Sequence, residues 1–359
     1  MSIIIAILIF GLIVFVHELG HFTVAKLTGV TVYQFSIGFG PALLKKQVGE
    51  TVYAIRCIPL GGYVAMKGED STVIETPAGH EPAESPEDTE GSFMHAKLWK
   101  RFCISAAGSL MNLLSALLVL LIIMLPTEAI IVPELSGFMD GFEWSGENGL
   151  QEGDEIVRIN DFHIFIYSDV VNALELGQGE PYTFVVERDG QRITLENLML
   201  TKSIPDESSG GQLKFGLLFG AETLTLPERL GTAWNSCLSF LQTTYKSIGM
   251  LVSGQVSTDN IMGTVGITNE LSERVQSSWA DVWYFVAFLS VNLAVVNLLP
   301  IPGLDGGKLL FLLIELVRGK PIKPEHEGAV QLVGMLFILG LFVFVTYNDI
   351  VNLITRAGA

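Results

Sequence analysis

The chain has 359 residues, 49% of them hydrophobic and only 16% charged, against roughly 25% charged in soluble domains. Acids outnumber bases 38 to 21, a net charge of −17, which argues against a nucleic-acid partner. Cys57, Cys103 and Cys237 have no CxxC spacing, so neither a disulfide framework nor a cysteine metal site is expected.

A membrane span needs roughly 20 apolar residues, and four runs qualify: 2–25, 102–125, 282–299 and 329–354. The first lacks a basic leader and a small-residue cleavage site, so it reads as a retained span and not a signal peptide. It also contains HELGH. His17 and His21 at i and i+4 share one helix face, the arrangement in which two imidazoles ligate one zinc ion. Glu18 is then placed to take a proton from water activated by that metal. An ionisable group inside a span costs about 2.5–3.5 kcal/mol on insertion scales. Three on one turn therefore argue for a metal.

After the first span, residues 31–47 and 50–69 alternate and carry Gly and Pro punctuation, which predicts membrane-associated β-hairpins. Residues 70–90 hold seven acids among Pro, Ser, Gly and Thr, the composition of a mobile solvated loop. Residues 130–202 read as a compact polar unit: short strands, a helix at 168–176, and a hairpin about Asp189-Gly190. An amphipathic helical stretch follows from Pro227 to Ser253.

The third span ends in VVNLLPIPGLDGGKLLF. Pro300 and Pro302 stop the helix, and Gly303, Gly306 and Gly307 keep the backbone irregular. Irregular backbone at membrane depth belongs where it is buried or lines a wet cavity. Asp305 sits in this break, either as a turn residue at the surface or as a third metal ligand. The presence of HELGH favours the ligand.

Lys and Arg number eight in residues 26–101, four in 300–327, and eight diluted over 126–280. The positive-inside rule puts the first two regions in the cytoplasm and the long stretch outside.

HELGH together with Asn297-Leu-Leu-Pro300-Ile-Pro302-Gly-Leu304-Asp305-Gly306 resembles the site-2 proteases, whose motifs are HExxH and NxxPxPxLDG. SIGFGP, GGYVAMKGE, KLWKRFCISAAGSLMN and GTVGI resemble segments of its bacterial RseP-type subgroup. One departure is Ser109 after Gly108, where the family usually has Pro. The stretch 149–164, GLQEGDEIVRINDFHI, resembles the core of a PDZ domain, with room for one such domain.

The resemblance implies one Zn2+ per chain, held by His17, His21 and Asp305, with Glu18 as the catalytic acid/base. Asn297 and, more remotely, Asn112 would position substrate, and the stretch Gly61-Gly62-Tyr63 would line the cleft and clamp unfolded substrate as an added strand. The expected fold is an α-helical polytopic membrane protein of about four transmembrane helices, with membrane-associated β-hairpins and an extracytoplasmic PDZ (α+β) domain. Its parts are a first membrane half at 1–125, the PDZ domain at 126–205, a linker and amphipathic region at 206–280, and a second membrane half at 281–359.

The function implied is intramembrane proteolysis of single-span proteins in a bacterial inner membrane, on the cytoplasmic side. Substrates would be pre-cleaved by a site-1 protease, of the anti-sigma factor or signal-peptide remnant type. The lipid bilayer and a peptide ligand of the PDZ domain are the other expected partners. A non-enzymatic scaffold with a structural metal site is the alternative, but such a site needs four protein ligands. A metal-ion transporter would need polar groups on the second and fourth spans, which have almost none.

Overall fold

The structure, a computed structural model, describes residues 2–69, 74–76, 79–81, 90–177, 179–206, 212–254 and 263–357. The acidic stretch 70–90 lies outside the described residues except for 74–76, 79–81 and Glu90. The chain divides into two compact units: residues 1–119 with 244–359, and residues 120–243.

The first unit starts with helix α1 (Ser2–Thr28), and strands β1 (Val32–Val48) and β2 (Thr51–Met66) follow as an antiparallel pair. Their register is irregular, so that residues 34–37 of β1 meet both 62–65 and 52–55 of β2. Rings fasten this pair to α1: Phe35 lies 6.0 Å from Phe15 and 5.1 Å from Phe22, and Tyr53 lies 5.9 Å from Phe22. Aromatic contacts at these spacings add to the burial of the rings themselves. Arg56 ties the pair together by donating from Nε to Ser36 Oγ at 2.8 Å, and from its terminal nitrogens to the Gly40 carbonyl at 2.6 Å and Tyr63 Oη at 2.7 Å. A short pair, β3 (Ile74–Thr76) and β4 (Gly79–Glu81), comes next.

Helix α2 (Leu98–Met124) enters from Arg101, whose guanidinium is buried against Glu315 at 2.9 Å and 3.0 Å to its two oxygens. Both contacts come from one nitrogen, Nη1, and Nε is buried without a partner, so it is the opposite charge of Glu315 that offsets the burial of this arginine.

The second unit is built on a six-stranded sheet. Strands β5 (Ala129–Phe138), β6 (Glu155–Ile159), β7 (Phe162–His163), β8 (Tyr182–Arg188) and β9 (Gln191–Leu198) contribute, with helix α3 (Tyr167–Leu176) after β7. A separate pair, β10 (Ile204–Asp206) and β11 (Gln212–Lys214), precedes β12 (Leu217–Thr223), which returns to the sheet beside β5. The order is β12-β5-β6-β8-β9, with β7 paired to β6. The sheet thus reaches past residue 205 into the stretch expected to be linker. The β8–β9 turn has positive φ at both Asp189 and Gly190, the geometry that Asp-Gly favours in a two-residue hairpin.

Ile156, Ile159, Tyr182, Phe184, Val170 and Leu135 are wholly buried between sheet and α3. The 149–154 loop is clamped by Asp154, itself fully buried, which accepts from Arg188 at 2.6 Å and 2.8 Å and from the Gln151 amide at 2.9 Å.

Three glutamates stand in one cross-strand row, Glu134 opposite Glu155 and Glu155 opposite Glu187. Burial, followed by the carboxylates of Glu187, Glu134 and Glu222, raises the Glu155 carboxyl above its ordinary value. A raised native value means that the folded state holds the proton more tightly, so stability is lost as pH climbs through that window. Glu155→Gln is therefore expected to raise the unfolding midpoint of this unit at pH 7. The gain is on the order of 0.5 kcal/mol, the scale of a like-charge pair across strands. Thermal unfolding of the detergent-purified chain at pH 7 and pH 4 checks this, with the gain shrinking at the lower pH.

Helix α4 (Leu226–Val252) begins in the second unit, where Ser239 donates to Asp169 at 2.6 Å and Gln242 donates to the His163 carbonyl at 2.7 Å. Its last turns belong to the first unit, where Thr244 donates to Asn292.

Helices α5 (Thr264–Ser277), α6 (Trp279–Leu298), α7 (Asp305–Arg318) and α8 (Pro324–Ala357) complete the first unit. Leu271 of α5 is buried against Ala6, Ile9 and Ile13 of α1 and Val282, Phe285 and Val286 of α6. The Asp349 carboxylate on α8 accepts the Gly263 and Gly266 amides at 3.1 Å and 3.0 Å. These donors at the start of α5 are ones the helix itself leaves unpaired. Among the described residues four helices are long and apolar enough to cross a membrane, within α1, α2, α6 and α8.

Candidate active site

HELGH lies in the second half of α1, so the helical period puts His17 and His21 on one face, both buried. Asp305 reaches the same point from the first residue of α7, directly after the proline-broken segment 299–304. That break is tightly seated. A side chain at Gly307 would fall 2.6 Å from the Ile301 carbonyl oxygen, and one at Gly334 of α8 would fall 2.5 Å from the Pro302 carbonyl carbon.

The three donor atoms form a nearly equilateral triangle. His17 Nε2 and His21 Nε2 are 3.2 Å apart, and Asp305 Oδ2 is 3.2 Å from each. Asp305 Oδ2 is buried without a hydrogen-bond partner, although both rings are at contact distance. Their nitrogens share a centre with the carboxylate oxygen instead of pointing at it. A tetrahedral zinc ion with bonds of about 2.0–2.1 Å sets its donors roughly 3.3–3.4 Å apart. The residues therefore fit the ion in type and in spacing.

His21 is turned by its far nitrogen, with Nδ1 donating to the Ile104 carbonyl of α2 at 2.7 Å. Metal-bound histidines are oriented in this way by an acceptor behind the ring. Such an arrangement requires α1 and α2 to lie close, and two glycines permit it. A Cβ at Gly20 would fall 2.8 Å from the Ala107 carbonyl carbon and 2.9 Å from Met111 Cβ. One at Gly108 would fall 2.7 Å from His17 Cε1 and 2.8 Å from His17 Nε2, and nearer still to His21 Nε2. Small residues at helix contacts in a membrane serve this close approach.

Glu18 has His21, His17, Asp305 and Lys308 as its electrostatic neighbours. Above it passes β2. A Cβ at Gly62 would stand 2.9 Å from Glu18 Cγ, so only glycine lets the strand lie on this carboxylate. Gly61, with φ +103, makes the same close approach to the Phe39 ring. Tyr63 is held by Arg56. Asn297 Nδ2 lies 3.4 Å from His17 Nε2, on the side of the donor triangle. Asn112 Nδ2 lies 3.5 Å from the other ring nitrogen, Nδ1. Of the residues singled out from the sequence, His17, Glu18, His21, Asp305, Asn297 and Gly62 fall around one centre and Asn112 lies behind the His17 ring, whereas Gly61 and Tyr63 flank Gly62 on β2 and contact Phe39 and Arg56. Sequence reasoning did not single out Gly20, Gly108 or the Ile104 carbonyl. The small-residue run around Gly108 was the one available signal.

A helix pair carrying two histidines, a glutamate and a distant aspartate around one buried point defines a membrane metallopeptidase. The comparisons agree. The model of peptidase family M50 matches residues 5–341. The zinc metalloprotease RasP of Bacillus licheniformis is 32% identical over 97% of this chain and 98% of its own length. The regulator of sigma-W protease RasP of Bacillus subtilis is 31% identical over 97% of each chain, and RasP of Shouchella clausii is 30% identical over 96% and 97%. The chain belongs to peptidase family M50, the site-2 proteases, and is a multi-pass membrane zinc metalloprotease.

Proposed function

We propose that the protein cuts single-span membrane proteins within or near their transmembrane helix, with His17, His21 and Asp305 holding one zinc ion and Glu18 moving the proton. The observation that carries this is the donor triangle of 3.2 Å sides on a membrane helix, covered by a glycine-bearing strand. Among the described residues His17, His21 and Asp305 are the one such cluster. Three protein ligands leave a position open for chemistry, which a closed structural site would not. This weighs against the scaffold reading.

Bound zinc would supply Lewis-acid polarisation of the scissile carbonyl and of the attacking water. Glu18 takes the proton from that water and returns it to the leaving amine. The Asn297 amide donates to the carbonyl oxygen as charge gathers there, a role for which pre-aimed donors are suited. The stretch Gly61-Gly62-Tyr63 pairs with the unwound substrate as an added strand, which also satisfies backbone groups that a membrane would leave unpaired.

The second unit, with its sheet, α3 and the clamped 149–154 loop, is read as a PDZ-like domain outside the cell membrane that filters substrates or holds a peptide end. The Lys and Arg distribution supports a cytoplasmic active site in a bacterial inner membrane. A relative whose name makes it a regulator of sigma-W supports substrates of the anti-sigma factor type, pre-cleaved by a site-1 protease. Signal-peptide remnants share the same single-span chemistry.

The test is cleavage of a single-span substrate by the chain reconstituted in liposomes, before and after removal of zinc with a chelator. Loss of cleavage on chelation and recovery with added zinc is expected. Equal cleavage by the metal-free protein, or none by the zinc-loaded protein on any single-span substrate, overturns the proposal.

A further inference from the structure

Asn112 is wholly buried in α2, and its side chain faces the back of the His17 ring. Its main-chain carbonyl already has two donors, Ser115 Oγ at 2.9 Å and Ser290 Oγ at 3.0 Å. The packing of α2 on α6 therefore uses the backbone of residue 112 and leaves its amide side chain for another purpose. That amide stands with Nδ2 3.5 Å from His17 Nδ1, while Oδ1 is buried with no partner.

The two ends of an amide are alike in shape, and their hydrogen-bond partners decide which is which. The forward nitrogen of His17 belongs to the donor triangle and must present a lone pair to bind a metal. A neutral imidazole then carries its hydrogen on Nδ1. That hydrogen needs an acceptor, and the group facing it is the Asn112 amide. With Oδ1 turned toward His17, the orphaned oxygen gains a donor and the ring gains its acceptor. The counterpart is already in place for His21, whose Nδ1 donates to the carbonyl of Ile104, about two turns before Asn112 in α2.

We infer that Asn112 is a positioning residue for the metal: its carbonyl oxygen accepts from His17 Nδ1, fixing the tautomer that turns Nε2 toward zinc. This rests on the reading of His17 as a zinc ligand. It separates Asn112 from Asn297, whose amide lies on the Nε2 side. Removing a partner that orients a metal-bound histidine typically costs 10–100-fold in metal affinity.

The experiment is a zinc titration of the detergent-purified full chain against a chelating indicator. Asn112→Ala is expected to weaken zinc binding by about 10–100-fold. Asn112→Asp, which keeps an acceptor of the same length, is expected to bind at least as tightly as wild type, and Asn297→Ala is expected to leave zinc affinity unchanged. Unaltered affinity in Asn112→Ala, or equal loss in Asn112→Asp, overturns the inference. A fall in thermal stability alone would mark a packing residue. Asn112→Leu, closer in volume, serves the same purpose if the alanine variant does not fold. His17→Ala is the control for the underlying reading: if it too leaves zinc affinity unchanged, the ligand assignment fails, and not merely the role of Asn112.

Discussion

Gly108→Ala is expected to abolish peptide-bond hydrolysis and zinc binding together, although it adds only one methyl group. That methyl would lie 2.7–2.8 Å from two atoms of the His17 ring and nearer still to His21 Nε2. Carbon does not approach ring atoms so closely, so something must move. The His21 ring is held from behind by the Ile104 carbonyl. Helix α1 is held by the close seat of Gly20 on Ala107 and by the aromatic contacts of Phe15 and Phe22. The relief must come from the donor triangle itself, and a misplacement of 1 Å at such a centre costs about 10²-fold in rate. Cleavage of a reconstituted substrate and zinc content of the purified variant should fall in parallel. Ser109→Ala makes the control: its hydroxyl is buried without a partner, so removing it should leave zinc content and rate near wild type.

Glu18→Gln is expected to behave differently, keeping zinc while lowering the cleavage rate by about 10²–10⁴-fold, the range for loss of a general acid/base. The glutamine is isosteric, so the strand above it can stay where Gly62 allows it to lie. Single-turnover cleavage with zinc quantified in the same sample checks both halves. A variant that cleaves normally would remove Glu18 from the mechanism. One that lost zinc would instead place the carboxylate among the ligands.

Motifs with a short period in sequence were the most legible parts of this protein. HELGH announced itself because three ionisable groups on one turn of an apolar run require a compensating interaction. The break NLLPIPGLDG did so because two prolines and three glycines cannot continue a helix. The two motifs together already favoured Asp305 as a third ligand, and what only the structure adds is the distance, 3.2 Å between His17 Nε2 and Asp305 Oδ2 across 288 residues of chain.

The strands around the 31–69 region were expected from their alternation, but not the register that lets residues 34–37 meet two segments of β2. Helix α5 left only a faint signal, since TVGITNELSERVQS is mostly polar. It is nevertheless anchored through Leu271, wholly buried between α1 and α6, and through amides held by Asp349. Strand β12 sits where linker was expected because a seven-residue edge strand exposes much of its length and so lacks a strong alternating pattern. Gly108 and Gly20 show the general limit. A glycine demanded by a neighbouring helix looks the same in sequence as one that is merely tolerated.

The separation of the donors along the chain has a consequence for the order of events during synthesis. His17 and His21 leave the ribosome first, yet Asp305 and the Glu315 that neutralises Arg101 are made 284 or more residues after His21, or 214 after Arg101. Until that last portion emerges, the nascent chain holds two donors without the third and an arginine without its carboxylate. If His17, His21 and Asp305 hold the zinc as proposed, a half-made molecule is inert toward its neighbours in the membrane. On that assignment a fragment ending before residue 305 lacks the third ligand and should not become a protease by itself.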